Sequence, residues 1–147
     1  NLMKYLDINY SFGYLETWTD KFSFEVSEGI EQVSGNREAA MSPNISSSIT
    51  ISYRHAGYFI TYNQSYKDAY YYSDSHNNQT EPYSLINLSL GRQFKEFTVS
   101  LWGNNIFDKR YPVRGFYFGL IPPNYDPQLW LSYGDPFQAG FTISYDF

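Results

Sequence analysis

The sequence contains no cysteine and no long apolar run, and few of its residues are charged. Without cysteine the chain has neither a disulfide framework nor a thiolate metal site. A membrane-crossing helix needs about 20 consecutive apolar residues, so the absence of such a run excludes helical spans. Charged residues make up 17% of the chain, and 10 basic against 15 acidic side chains leave a net charge of -5. This balance disfavours nucleic acid as a partner, since phosphate binding usually requires a basic face.

Aromatic residues are the abundant class. Sixteen Tyr, 12 Phe and three Trp make up 21% of the 147 residues. Tyr and Trp gather at membrane interfaces, where the ring meets lipid and the polar tip meets water. A transmembrane β-barrel combines such rings with polar side chains at every second strand position, because those positions face the lumen. The composition therefore favours a barrel over an ordinary soluble domain.

The last eleven residues, 137–147, alternate between two kinds of side chain. Every odd position is apolar, and every even position is polar or Gly. This period of two predicts a strand with one apolar and one polar face. At about 3.4 Å per residue the strand is about 35 Å long, which suffices for a tilted membrane crossing. We interpret it as the closing strand of an outer-membrane barrel. Its lipid-facing residues include Phe141, Ile143, Tyr145 and Phe147.

The residues before this strand predict how the chain enters it. Gly134 permits an unusual backbone dihedral angle. Pro136 would occupy the first strand position, where it removes no interior hydrogen bond of the sheet. The pair predicts a transition from loop to strand.

The same alternation recurs earlier and predicts six strands in all. The predicted strands span residues 2–18, 43–54, 58–71, 83–93, 97–111 and 136–147. The connections 55–57 and 94–96 are short, while 19–42, 72–82 and 112–135 are long. Tight turns at one end and long loops at the other are typical of outer-membrane barrels, whose tight turns face the periplasm. The prediction is an all-β, antiparallel up-and-down meander with a periplasmic C-terminus.

A soluble β-sandwich is the alternative fold, because one apolar face per strand would also serve a core between two sheets. Strands in globular proteins are usually about 5 to 6 residues long. The predicted strands are longer and carry rings near their ends, among them Tyr53, Tyr58, Tyr111 and Tyr145. Long strands with rings at their ends favour the bilayer.

The sequence offers no arrangement suited to catalysis or metal binding. His55 is at a tight turn and His76 in a polar loop, and neither has an acidic residue at ligand spacing. None of the many serines has a sequence context that would raise its nucleophilicity. We therefore expect no enzyme activity, no metal and no cofactor.

The last long loop contains the candidates for ligand binding. These are Arg114, Tyr117, Tyr125 and Trp130. They combine a charge-assisted donor with flat amphipathic rings, a set suited to a sugar, an aromatic chelate or another planar solute. Lys109, Arg110 and Arg114 cluster where the fifth strand ends, and suit pairing with lipopolysaccharide phosphates or steering of an anionic ligand. The alternatives are rings that pack the loop together and cations that keep it solvated.

Several segments resemble the C-terminal portion of TonB-dependent receptors, the ligand-gated transporters of Gram-negative outer membranes. Residues 104–111, Asn-Asn-Ile-Phe-Asp-Lys-Arg-Tyr, are similar to the family's Asn-Leu-Phe-Asp-Lys-x-Tyr segment, and 101–103 precede it as Leu-Trp-Gly. Residues 114–124 are similar to the last extracellular loop of one receptor subgroup. Residues 133–136, Tyr-Gly-Asp-Pro, resemble the opening of the family's final strand, and Phe147 matches its ending.

The resemblance implies a 22-stranded barrel around an N-terminal plug, with this chain as its C-terminal six strands. It also implies a bacterial outer-membrane location and energy from the TonB complex through the plug. The implied partners are the rest of the barrel and plug, the TonB complex, outer-membrane lipid and lipopolysaccharide, the barrel-assembly machinery that reads the final strand, and a small-molecule ligand. Six strands leave unpaired backbone groups at their edges, so we expect a fragment or one chain of a split assembly.

The functional hypothesis is part of an importer for a scarce solute, such as a metal chelate of the siderophore type or a carbohydrate. Inward polar side chains would line the path, and the long loops would capture the ligand. The rival hypothesis is a structural or adhesive outer-membrane domain whose loops bind a partner and move nothing across the membrane. A plug-like domain encoded upstream would favour the importer.

Overall fold

The computed structural model describes residues 2–27 and 29–146. Within them the chain forms one short 3₁₀ helix and twelve strands. The helix spans Leu2–Tyr5, and the strands are β1 (Leu6–Tyr14), β2 (Phe22–Ser27), β3 (Ile30–Ser34), β4 (Ile45–His55), β5 (Tyr58–Lys67), β6 (Tyr71–Ser73), β7 (His76–Gln79), β8 (Tyr83–Gln93), β9 (Phe97–Asn104), β10 (Pro112–Phe118), β11 (Gln128–Tyr133) and β12 (Gln138–Tyr145). Over these two ranges, no helix has the length and apolar character needed to cross a membrane.

Six strands form one antiparallel sheet in the order β1-β4-β5-β8-β9-β12. The order of the strands in the sheet is also their order along the chain, so each strand pairs with the next strand of the sheet in sequence. The predicted all-β, six-stranded up-and-down meander is therefore confirmed. The remaining strands form the hairpins β2-β3, β6-β7 and β10-β11, one within each long connection. All three hairpins consequently belong to the same end of the sheet.

The register of the sheet aligns like side chains across the strands. One apolar row crosses all six strands through Leu6, Tyr53, Ile60, Leu90, Leu101 and Phe141. The opposite face carries polar rows, one of which joins Asn9, Thr50, Asn63 and Asn87. A slip of one residue would exchange the two faces of a strand, so the alternation in the sequence specifies this register.

The apolar face of the sheet is exposed. Phe141, Ile143 and Tyr145 of β12 keep 70%, 63% and 52% of their surface exposed. In the part of the chain that the structure describes, no large side chain is fully buried, and every sheet other than the six-stranded one has only two strands. A sandwich would need a second sheet packed against these residues. The β-sandwich alternative is therefore wrong.

The first strand is shorter than the predicted range 2–18. β1 covers Leu6–Tyr14, and the 3₁₀ helix precedes it. Its partner β4 begins at Ile45, which pairs with Tyr14, so residues 15–18 run past the end of the ladder. Alternation continues beyond the point where a partner strand is present, which is why the sequence pattern overestimates the length.

The fifth predicted strand, 97–111, also ends early. β9 stops at Asn104, because Asn105 and Asp108 adopt left-handed backbone conformations with φ of 47° and 49°. Chain direction changes there, and residues from Pro112 onward join a separate hairpin. Asn and Asp tolerate this conformation better than most residues, so the turn is chemically reasonable.

Gly134 serves a different purpose from the one predicted. Gly134 does not adopt the left-handed backbone conformation, since its φ is not positive. A Cβ atom at this position would instead lie 2.1 Å from Cζ of Tyr111. Its backbone N–H donates to the carbonyl oxygen of Tyr111 at 3.0 Å. Glycine is therefore required because the tyrosine ring packs directly on the backbone. Pro136 precedes β12, which begins at Gln138.

Candidate functional site

Arg37 joins the first long loop to the second. Its guanidinium donates to the side-chain oxygen of Asn77 and packs over Tyr71, with Cζ 4.1 Å from the ring centre. It also donates to three carbonyl oxygens, those of Ser73, Asp74 and His76, at 2.9, 3.0 and 2.6 Å. Only 8% of the residue is exposed. A buried cation needs such partners to offset the loss of water, so this contact holds the two loops together.

Asp74 makes the reciprocal link from the second loop to the first. Its carboxylate oxygen accepts a hydrogen bond from the backbone N–H of Ala40 at 2.6 Å and from the hydroxyl of Thr19 at 3.4 Å. The Asp74 carbonyl oxygen accepts from the hydroxyl of Ser34 at 2.8 Å. Residues of the first loop thus approach the β6-β7 turn from several directions, which orders both loops.

The third loop packs on the second through Tyr117. The rings of Tyr117 and His76 stack with centroids 3.5 Å apart and planes inclined by 6°. The Tyr117 hydroxyl donates to the side-chain oxygen of Asn78 at 2.5 Å. Gly115 lies against Tyr72, since a Cβ atom on Gly115 would be 2.6 Å from Cγ of that ring. The three hairpins therefore form one packed body, which we call the loop body.

Burial within the loop body shifts three titratable groups toward their neutral forms. The pKa of His76 is lowered, first by burial and then by the nearby charge of Arg37. Burial raises the pKa of Tyr117 and, with smaller contributions from neighbouring phenols and Glu81, raises the pKa of Tyr72 to about 12. Both pKa shifts favour the uncharged forms of the stacked His76 and Tyr117 rings, which suits their position beside a cation.

A cavity of about 360 Å³ opens at the base of the second and third loops. Its walls include the tyrosines Tyr72, Tyr83, Tyr111 and Tyr133, the cations Lys109 and Arg110, and the carboxylate of Glu81. Cζ of Arg110 lies 4.1 Å from the ring centre of Tyr133, so the guanidinium is positioned over the ring. Flat rings around a positioned cation suit a small planar or anionic solute.

The four residues predicted to bind ligand are not brought together. Arg114 and Trp130 share the exposed face of the β10-β11 hairpin. Tyr117 is on the opposite face, stacked on His76. Tyr125 belongs to the loop that connects β10 to β11, and it is 57% exposed. The cavity is built from other residues of the same region, and a ligand contact by these four remains a prediction.

Asn105 is the structural residue that the sequence reasoning overlooked. Only 5% of it is exposed, and its side chain accepts from the backbone N–H of Lys109 at 2.9 Å. Its amide group donates to the carbonyl oxygens of Lys109 at 3.0 Å and Asp135 at 3.1 Å. This residue therefore positions the cations of the cavity and the approach to β12. An Asn at the end of an alternating pattern was the available signal, since Asn favours left-handed turns.

A chain of amides connects this turn to the polar face of the sheet. The backbone N–H of Asn105 donates to the side-chain oxygen of Asn87 at 2.9 Å. Asn87 in turn donates to Asn63 at 3.4 Å, and Asn63 donates to the hydroxyl of Thr50 at 2.9 Å. These side chains cross three neighbouring strands, so the polar face is ordered by its own hydrogen bonds.

The predicted assembly strand lies at the edge of the sheet. Phe141, Ile143 and Tyr145 project from its apolar face, opposite Leu101, Val99 and Phe97 of β9 in the register. Phe147 lies outside the described residues. Recognition of this strand by assembly machinery remains a prediction.

Residues 2–27 and 29–146 contain no group of three or more His, Cys, Asp or Glu placed to hold a metal ion. His55 packs against Tyr5 with ring centroids 4.3 Å apart. His76 has its Nδ1 atom 2.9 Å from the hydroxyl oxygen of Ser75. Both histidines are engaged in local packing.

No protein-family model matches the chain. Among solved structures it is similar to the TonB-dependent receptor FpvA of P. aeruginosa, in a structure determined with a heterologous pyoverdine and iron. The TM-score is 0.65 and the sequence identity is 17%, and the match covers 100% of this chain and 18% of FpvA. At this identity the likeness shows the fold alone. The chain thus spans less than a fifth of that receptor's length.

Proposed function

We propose that this chain is the C-terminal barrel portion of a ligand-gated outer-membrane importer of the TonB-dependent class. The observation that carries the proposal is a single six-stranded meander with exposed apolar side chains on five of its strands, β1, β5, β8, β9 and β12, and with every long connection at one end. Such a face suits hydrocarbon, because all interior backbone groups are paired within the sheet. The polar face would then line the lumen. The likeness to FpvA supports the same architecture.

The proposed solute is a small planar or anionic molecule, with a metal chelate of the siderophore type first and a carbohydrate second. FpvA was determined with an iron-loaded pyoverdine. In this chain the tyrosines of the cavity offer flat surfaces, and Lys109 and Arg110 offer positive charge. A charge-assisted hydrogen bond to a chelate would add to ring packing.

The remaining parts of the proposal concern partners and orientation. Further barrel strands would cover the edges of β1 and β12, and a plug inside the barrel would link the importer to TonB. The barrel-assembly machinery would read β12, and lipopolysaccharide would surround the outer loops. The tight turns, and with them the C-terminus, would face the periplasm.

Uptake by cells that produce the full receptor tests the proposal. Iron-starved cells would be given a panel of ferric siderophores carrying radiolabelled iron, and a parallel panel of labelled oligosaccharides. We expect accumulation of one of them that stops when an uncoupler collapses the proton-motive force. Arg110→Ala should weaken binding of that solute about tenfold, since a hydrogen bond to a charged group is lost. Lys95→Ala, a cation at a tight turn, is the control and should bind normally.

A structural or adhesive domain is the second candidate. The observation that favours it is the loop body, in which hydrogen bonds and ring stacking between the hairpins form an ordered surface suited to binding a partner. The two candidates differ in the uptake experiment. Surface binding of a partner with no energised accumulation of any solute in either panel would contradict the importer and leave the adhesive domain.

A further inference from the structure

One cation interrupts the apolar face of the sheet near its tight-turn end. Alternation along β8 places Arg92 on the same face as Leu88 and Leu90. In the register Arg92 lies opposite Tyr58 of β5 and Val99 of β9. A charged side chain in a lipid-facing row is unfavourable at the membrane centre but is tolerated at the interface, where its tip reaches polar groups.

Two aromatic rings hold the Arg92 guanidinium in place. Its Cζ atom lies 4.6 Å from the ring centre of Tyr58 and 4.9 Å from that of Phe94. No carboxylate in the described ranges forms an ion pair with it. Glu96, the acid of the adjacent turn, instead accepts a hydrogen bond from the Tyr145 hydroxyl at 3.0 Å. The cation is therefore positioned but has no anionic partner within this part of the protein.

An apolar recess of about 310 Å³ adjoins this cation. Its lining includes the apolar or aromatic residues Tyr58, Leu90, Phe94, Val99 and Leu101, together with Arg92. Lys95, in the neighbouring turn, adds a second cation at the same end of the sheet. A hydrocarbon surface next to a positively charged rim is complementary to a lipid with an anionic headgroup.

We propose that this recess binds one anionic phospholipid of the periplasmic leaflet. An acyl chain would lie against Leu90, Val99 and Leu101, and the headgroup phosphate would pair with Arg92. The proposal rests on the proposed function in one respect, because the apolar face must meet the membrane. It adds a specific lipid site in which Arg92 makes the contact with the headgroup phosphate.

Photocrosslinking in the full receptor tests the site. A photoreactive phenylalanine analogue would replace Leu101, and the receptor would be inserted into vesicles of equal parts phosphatidylglycerol and phosphatidylcholine. Mass spectrometry then gives the ratio of the two lipid adducts. We expect about fivefold enrichment of phosphatidylglycerol, the effect of one basic side chain near an anionic lipid surface. Arg92→Gln should return the ratio to that of the vesicle.

Arg54→Gln is the matched control. Arg54 is at the same end of the sheet and also packs on a ring, with Cζ 5.9 Å from the centre of Phe59, but it belongs to the opposite face. The enrichment should survive this change. Equal ratios in wild type and Arg92→Gln, or equal losses in both variants, would overturn the lipid site.

Two further measurements keep the site testable if Arg92→Gln does not assemble. Raising the salt concentration should lower the enrichment in the wild-type receptor, because ions screen an interfacial charge, and insensitivity to salt would count against the site. Inorganic phosphate, compared with chloride at the same ionic strength, should leave the adduct ratio unchanged, and displacement of lipid by phosphate would overturn the site. A receptor that yields no lipid adduct of either kind would contradict the membrane-facing sheet, and with it the proposed function.

Discussion

At the scale of single residues, the loop body depends on a few side chains that satisfy many backbone groups. Asn105 and Arg37 are both buried polar residues, and each contacts segments distant in sequence. Removal of such a residue leaves several carbonyl or N–H groups unpaired at once. Their loss should therefore cost more than the loss of an exposed apolar side chain nearby.

We predict that Asn105→Ala destabilises the folded protein by about 3 kcal/mol, from the lost hydrogen bonds and from an alanine forced into a left-handed conformation. The measurement is the midpoint of urea unfolding in lipid vesicles. Asn105→Gly should recover the part that is due to the backbone. Asn104→Ala, at an exposed neighbouring position, is the control. A midpoint for Asn105→Ala as high as that of the control would disprove the role of this side chain.

The pH dependence of the loop body should follow His76. Because its pKa is lower in the folded state, the neutral ring is favoured by folding, and this stability is complete above the ordinary value of about 6.5. It decreases as the pH falls from there through the folded pKa. Protection of the amides in residues 76–79 and 112–118, measured as the exchange rate relative to the intrinsic rate at the same pH, should therefore be weaker at about pH 5 than at about pH 7.5. His76→Phe keeps a stacking ring without a titrating group and should remove the difference. A pH effect that persists in this variant would assign it to another residue.

At the scale of elements, each strand of the sheet has one apolar face and one polar face, and in the proposed barrel the apolar face meets lipid while the polar face meets the lumen. Ile143 and Ser144 are neighbours on β12 and point to opposite faces, opposite Val99 and Thr98 of β9 respectively. The proposed membrane orientation therefore assigns very different costs to the same substitution at these two positions. Leu88 and Ser89 of β8 form an equivalent pair.

We predict that Ile143→Arg impairs membrane assembly, because it adds a second charge to the apolar row that already holds Arg92 opposite Val99. A charge on the lipid face costs about 2 to 4 kcal/mol at the membrane midplane and less toward the interface. Ser144→Arg should be milder, because its face is polar. The measurement is the fraction of receptor that resists extraction from outer membranes. Leu88→Arg and Ser89→Arg repeat the comparison on another strand. Equal effects within both pairs would show that the faces are assigned wrongly.

The β10-β11 hairpin should be dispensable for the barrel strands but needed for uptake. It packs on the β6-β7 hairpin through Tyr117 and Gly115. The strands β9 and β12 pair directly with each other, so their pairing does not require the hairpin. Deletion of residues 116–130 should spare membrane assembly and lower uptake of the transported solute. Assembly and uptake would be measured on the same cells. Unchanged uptake would remove this loop from ligand capture.

The strand prediction succeeded where an alternating pattern met a partner strand. It overestimated β1 and β9, because alternation continued into residues whose neighbours had already turned away. The three loop hairpins were not predicted as paired elements, since their strands are short and β6-β7 consists largely of polar residues. Short polar strands carry little periodic signal, so their pairing follows from tertiary contacts.

At the scale of the whole molecule, the six-stranded sheet has two open edges. Within the described residues, β1 and β12 each pair with only one strand of the sheet. Lipid provides no hydrogen bonds to the unpaired backbone groups of an edge. Both edges also carry exposed apolar side chains, among them Ile8, Tyr10, Phe141 and Ile143. Further strands at these edges would pair the backbone groups and would cover part of the exposed apolar surface.

We predict that the 147-residue chain, refolded alone in detergent, forms aggregates or oligomers, because open apolar edges favour pairing between chains. Size-exclusion chromatography with light scattering measures this. Refolding together with the remaining barrel strands should yield a single assembled species. A monodisperse six-stranded monomer that inserts into vesicles alone would contradict the need for a larger barrel.

The sequence by itself determined the strand number, the two faces and the meander, because period-two alternation and connection length are local properties of the chain. Only the tertiary structure decided which loop residues meet. Arg37 reaches carbonyl groups of the β6-β7 hairpin, Tyr117 stacks on His76, and Asn105 reaches Asp135. Such contacts join residues 30 to 41 positions apart, and no local pattern encodes them. These contacts form because the three long connections leave the sheet at the same end, which brings their hairpins together.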